Sequence, residues 1–227
     1  MPQVDTNGIK IDYRFDGKEG APYITFVTGI ANDLTMWDAQ VAVLGKDYRT
    51  LRYDLRGHGD TQATEGDYTI ELLVRDLTGL LNELNIQKTH LVGLGLGGAI
   101  VQAFAMENSH RVHALVPCCC RAKMVPDFAA MWQRLREVVG KEGVEAIVEP
   151  TAQRWFSDEW KAAALALRET NLCSVLQIKY CLYPADSTSD RGNMFPHRSR
   201  ASRGREPRAP HFWHFRAFIG KRFGIVS

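Results

Sequence analysis

The period of the apolar positions changes several times along this chain, and each change marks an element. β-rich stretches at residues 3–6 and 9–15 flank Asn7-Gly8, a strong two-residue turn signal, so the chain opens as a hairpin. Residues 23–27 and 50–53 are further β-rich runs, each followed by a loop containing glycine. From 69 to 84 the spacing is helical: apolar residues stand at 70, 73, 74, 77, 80, 81 and 84, with Thr69 as N-cap. A buried strand at 89–92 precedes the run Gly93-Leu94-Gly95-Leu96-Gly97-Gly98, a helical pattern from Ala99 follows it, and 113–119 reads as a sixth strand. This alternation predicts an α/β fold with a mostly parallel sheet covered on both faces.

Beyond Val125 the texture becomes helical and rich in Trp, Arg, Glu and Ala, and beyond Tyr183 the apolar periodicity fails. We divide the chain into a core at 1–124, a helical insertion at 125–183 and a basic, disordered tail at 184–227, with the sheet truncated after its sixth strand. Its 227 residues, 45% hydrophobic and 24% charged, suffice for one sizeable core. The tail carries eight Arg and one Lys against Asp186, Asp190 and Glu206; that surplus of six charges leaves the rest of the +2 chain at −4.

Five cysteines, Cys118, Cys119, Cys120, Cys173 and Cys181, are odd in number and clustered, unlike a secreted disulfide framework. Adjacent residues on a strand point to opposite faces, and no Cys-x-x-Cys accompanies the triplet, so we expect no metal and read these cysteines as small buried apolar residues. The polar start Pro2-Gln3-Val4-Asp5 shows no signal peptide, no run approaches the ~20 apolar residues of a membrane span, and Ile225-Val226-Ser227 is not a peroxisomal signal. The expected location is the cytoplasm.

A strand, a tight glycine turn and a helix are the setting in which the serine of Gly-x-Ser-x-Gly is presented, with small neighbours so that strand and helix approach closely. Here the serine position holds Gly95. A dinucleotide loop fits less well, because that fingerprint follows the first strand of its unit whereas this turn follows some 90 residues of chain. No cofactor is expected.

Several separated blocks resemble 3-oxoadipate enol-lactonase-like α/β-hydrolases. Val27-Thr28-Gly29-Ile30-Ala31-Asn32-Asp33-Leu34-Thr35-Met36-Trp37-Asp38 resembles the family's oxyanion loop, and Asp54-Leu55-Arg56-Gly57-His58-Gly59 its arginine-glycine-histidine-glycine turn. The elbow at 93–98 matches except at the nucleophile, and Arg154-Trp155-Phe156 resembles a lid signature, making 125–183 the lid. A further likeness is to fungal members in secondary-metabolite clusters, including those for host-selective toxins.

The resemblance implies ester or lactone hydrolysis, with the oxyanion held by the backbone N–H groups of Leu96 and Ile30. It also implies an acid after a seventh strand and a histidine after an eighth, and no such strands are legible beyond Tyr183. Asp186, Asp190, His197, His211 and His214 lie in sequence without a scaffold to hold a general base, and we give them no catalytic role. His58 reads as a structural turn residue, and His90 and His113 as partly buried strand residues. The basic tail, with Phe212, Trp213 and Phe215, admits RNA or an acidic membrane surface as partner. A frameshift, premature stop or unspliced intron explains it better, giving a truncated paralogue with no nucleic-acid partner.

Three classes follow: a hydrolase-family protein impaired at Gly95; an enzyme using oriented water or another nucleophile; and a non-catalytic binder of a small apolar ester or lactone. Self-association through an exposed edge of the sixth strand is the expected protein contact.

Overall fold

The hairpin turn sets the first register. Asn7 at φ 47° and Gly8 at φ 76° are both left-handed, as a type I′ turn requires, and they pair strand β1 (Gln3–Thr6) with β2 (Ile9–Gly17) from Thr6 opposite Ile9. The computed structural model describes residues 2–155 and 157. After β2 come β3 (Tyr23–Val27), a 3₁₀ turn (Leu34–Trp37), α1 (Asp38–Leu44), β4 (Arg49–Tyr53), α2 (Ile70–Glu83), β5 (Thr89–Leu94), α3 (Leu96–Glu107) and β6 (Val112–Cys118).

Among the described residues these strands form one six-stranded sheet in the order β1-β2-β4-β3-β5-β6. β2 is antiparallel to β1 and β4, while β4, β3, β5 and β6 run parallel. Each parallel crossover carries a helix, which is the connection parallel strands need. Ile24 and Phe26 pack with Trp37, Val41 and Val92 on one face, whereas Val27, Leu51 and Leu91 join Leu73, Leu77, Ile100 and Phe104 in the larger cluster. The sheet is therefore apolar on both sides, as an α/β sheet must be.

The positions read as the buried face of α2 behave as its spacing predicts: Ile70, Leu73, Val74, Leu77, Leu80 and Leu81 are buried, and Leu84 is partly buried against the same cluster. Thr69 accepts the Leu72 N–H at 3.2 Å and caps the helix. Helix α1 has no counterpart in the sequence reading, because seven residues with Val41 alone buried leave little periodicity. Helix α3 starts three residues before the expected Ala99, since glycine in a first turn reads as a breaker although here it is required for packing.

Two further helices, α4 (Pro126–Glu142) and α5 (Val148–Trp155), lie in the segment 125–183 that the sequence pattern marks as an insertion. Pro126 starts α4, where its missing N–H costs nothing. Phe128 and Trp132 meet edge to face at 5.9 Å on that helix, and Arg136 reaches Asp67 at 3.6 Å. The remainder of the insertion and the 184–227 tail lie outside the described residues.

Candidate active site

At the carboxyl end of β5 the chain turns from strand to helix on one residue, Gly95, at φ 54° and ψ −111°. A side chain at such a backbone position is strained, and the same turn lifts it clear of its neighbours: a β-carbon on Gly95 would meet nothing within 4 Å. The flanking glycines differ. A β-carbon on Gly93 would collide with the Gly97 carbonyl, and one on Gly97 with the carbonyl oxygens of Val27 and Thr28. On Gly98 it would stand 2.7 Å from Cys120 Sγ. Three glycines are thus enforced by close approach of backbone and loop, and the central one is not.

Leu96 is the first residue of α3, so its N–H has no acceptor one turn earlier in the helix. The loop after β3 lies against the same turn: a β-carbon on Gly29 would come within 3.3 Å of the Leu94 carbonyl oxygen, and Gly97 abuts Val27 and Thr28. Within that loop Asn32 Nδ2 donates to the Ile30 carbonyl at 2.9 Å, and Ala31 sits at φ 63°. The fold therefore brings the Ile30 loop to the elbow that carries Leu96. It places no side chain at the position between them, and covalent attack from residue 95 is chemically absent.

The second glycine turn, after β4, is a structural joint. Arg56 gives two hydrogen bonds to Asp76 of α2, from Nε at 2.9 Å and Nη2 at 2.6 Å, and a third to the Asn7 carbonyl at 3.2 Å. His58 is buried with Nδ1 3.1 Å from the Arg56 carbonyl, and burial holds its pKa down to about 4. A neutral ring enclosed in this way has no access to a reacting group. Asp54 accepts the Leu34 N–H at 2.6 Å and the Asp60 N–H at 3.1 Å, yet burial outweighs those two bonds and pushes its pKa up to about 7. It joins the segment following the Ile30 loop to the turn after β4.

His90 and His113 are not brought to the elbow. They occupy the amino ends of β5 and β6, where their rings lie 5.1 Å apart. Four residues of strand, 91–94, separate His90 from Gly95, and the five steps span roughly 16 Å at the usual strand rise. Burial holds both imidazoles below the ordinary histidine value, with His113 as the lesser cause for His90 and Lys88 for His113. Asp186, Asp190, His197, His211 and His214 lie outside the described residues.

The cysteine triplet corrects an expectation. Cys119 is exposed, and Cys118 and Cys120 are only partly buried. The strand reading fails because β6 ends at Cys118 and the chain turns through Cys119 at φ 48°. Also absent from the sequence reading is a bond on the elbow itself: Gly95 N–H donates to the Cys118 carbonyl at 2.9 Å. Backbone pairing between loops leaves no residue-type signal.

This geometry is that of an α/β-hydrolase, and the chain belongs to that family: the alpha/beta hydrolase fold model matches residues 22–174. Within it the chain falls in the enol-lactonase-like branch. It is 32% identical over 157 residues to 3-oxoadipate enol-lactonase 1 of Acinetobacter baylyi, covering 69% of this chain and 58% of that protein. Enol-lactonase 2 of the same organism is 29% identical, with 66% of this chain and 55% of that protein covered. The chain thus spans less than two thirds of the length of either lactonase. Among solved structures, the enol-lactonase of Burkholderia xenovorans superposes with a TM-score of 0.73 at 32% identity, over 78% of this chain and 68% of that one. An esterase from Thermogutta terrifontis gives 0.70 at 29% identity, over 78% and 66%. Among the described residues no helix is long and apolar enough to cross a membrane.

Proposed function

We propose that this chain is a hydrolase-like protein of the ester and lactone type whose acyl-transfer chemistry is impaired at residue 95. A carbonyl polarised between the N–H groups of Leu96 and Ile30 would find donors and no nucleophile. The observation that carries this reading is the contrast within the elbow: packing enforces Gly93, Gly97 and Gly98, while the one glycine with open space around its β-carbon position stands where the attacking group belongs. The buried, neutral His58 supports it, since that ring cannot replace a general base.

The test is covalent. Incubated with a serine-directed fluorophosphonate, the purified chain should carry no adduct on residues 93–98, and aryl-ester hydrolysis should stay at the level of a heat-treated control. An adduct on the elbow or saturable hydrolysis overturns the reading. The open space over Gly95 favours one further role, retention of a small apolar ester or lactone without turnover, which calorimetry with a hydrolysis-resistant lactone analogue measures. We place the protein in secondary metabolism, including toxin biosynthesis, on sequence resemblance alone; an unchanged metabolite profile in a deletion strain would remove that assignment.

A further inference from the structure

Three thiols stand in a row at the carboxyl end of β6, beside the elbow, and acyl chemistry uses none of them. They are not equivalent. Cys118 ends the strand, and its carbonyl oxygen accepts the Gly95 N–H at 2.9 Å, so the peptide group joining Cys118 to Cys119 holds the central residue of the elbow. Cys119 turns the chain at φ 48° and is exposed. Cys120 is folded back onto the first turns of α3: its Sγ lies 3.0 Å from Gln102 Nε2, which also donates to the Gly98 carbonyl at 3.2 Å, and it fills the space a Gly98 side chain would need. Burial, then the neighbouring thiols, pushes Cys118 up; burial and Cys119 push Cys120 up against the opposing bonds from its own backbone and Gln102. The two partly buried thiols are therefore held protonated, and the thiolate is the form that reacts.

We propose that Cys119 is a modification site that takes a mixed disulfide from a small disulfide of the glutathione class, and that the adduct is felt at the elbow. In the step, the Cys119 thiolate attacks one sulfur of the incoming disulfide, a new S–S bond forms as the old one breaks, and the second sulfur leaves as a thiolate that takes up the proton Cys119 released. No further oxidant enters the balance, and a dithiol reductant reverses it. The coupling is covalent and short: the backbone nitrogen of Cys119 belongs to the peptide group that accepts from Gly95, and the next residue wedges its sulfur against Gly98 and Gln102. A tripeptide attached at this turn displaces one of those two contacts.

The experiment uses the full chain, oxidised glutathione at neutral pH, fragment mass spectrometry of the peptide that ends at Arg121, and amide hydrogen exchange. The expected result is an adduct on Cys119 at least about tenfold faster than on Cys118 or Cys120, as accessibility differences of this kind produce. It should be removed by dithiothreitol and accompanied by faster exchange of the amides at 93–98. Cys119→Ser should lose the adduct while keeping the circular dichroism and elbow exchange of the unmodified chain. First modification at Cys118 or Cys120, equal rates at all three, or a Cys119 adduct that leaves elbow exchange unchanged would overturn the proposal.

Discussion

Two glycine turns end the parallel strands that flank β3 in this sheet, and they carry opposite burdens. The turn after β4 is crowded with polar bonds: Arg56 clamps Asp76 and the Asn7 carbonyl, Asp54 gathers two backbone N–H groups, and His58 is sealed inside. The turn after β5 is held by close approach at Gly93, Gly97 and Gly98 and by the backbone bond from Gly95 to Cys118. The first would be conserved by folding whether or not the protein catalysed anything. In the second, the residue that chemistry would demand is the one that packing does not require. A fold and its reaction place separable demands on the same few residues, and in the function proposed above only the structural demand is met.

The largest effect should come from testing that separation by steric means. Gly97→Ala drives a methyl group into the carbonyl oxygens of Val27 and Thr28, and the collision is with backbone on a different element. We expect a loss of about 4 kcal/mol or more, in the range that marks a severe core defect, or failure to fold. Gly95→Ala meets no atom and suffers backbone strain alone, about 1–3 kcal/mol. Urea denaturation of the two variants side by side decides it; equal losses would mean the elbow is not discriminating between its glycines.

Next in size is the clamp of the other turn. Asp76→Ala leaves the Arg56 guanidinium buried and unpaired and removes the acceptor of Asn7 Nδ2, which lies at 2.5 Å. Breaking a buried pair from one side costs about 3–5 kcal/mol. If the loss is under about 1 kcal/mol, a typical surface pair, then the joint between hairpin, turn and α2 is not what holds them.

The same contrast explains what was legible in the sequence. The hairpin, β3 to β6, the buried stripe of α2 and the elbow all follow from period and glycine spacing, because these positions are read by side-chain type. Three features were not. Helix α1 is too short to repeat its pattern, the exposed Cys119 depends on where β6 stops, and the Gly95 to Cys118 bond is made by backbone atoms that every residue has. The burial of Asp54 and His58 was equally silent, since neither residue type announces an interior position.

Those two buried groups yield opposing pH dependences of intermediate size. His58 is held at about 4 against an ordinary 6.5, so its contribution is present above 6.5 and is lost as pH falls through 4. Asp54 is raised from 3.8 to about 7, so the folded chain binds that proton more tightly, and stability from this group is lost as pH rises through 7. At ~1.4 kcal/mol per unit His58 amounts to roughly 3–4 kcal/mol and Asp54 to roughly 4–5, and they work against one another between about pH 4 and pH 6.5. Relative to the parent chain, His58→Gln should therefore gain stability as pH falls across that window, and Asp54→Asn should gain as pH rises toward 7. Parallel pH profiles for all three chains would show that neither group is buried as an ionisable residue.

The smallest effect on stability sharpens the contrast most. Gly95→Ser restores the atom that acyl chemistry wants at a position with room for it, so the variant should fold with a loss of about 1–3 kcal/mol from strain. Turnover should not return. A serine hydroxyl without a positioned base stays protonated and weakly nucleophilic at neutral pH, and among the described residues the histidines near the sheet are either sealed, as His58, or at the far end of β5 and β6, as His90 and His113. The measurement is aryl-ester and lactone hydrolysis by Gly95→Ser beside Gly95→Ala, with fluorophosphonate labelling of both. Saturable hydrolysis by the serine variant alone would mean that a base reaches residue 95 from outside the described residues, and that the second turn lacks one atom rather than a whole relay.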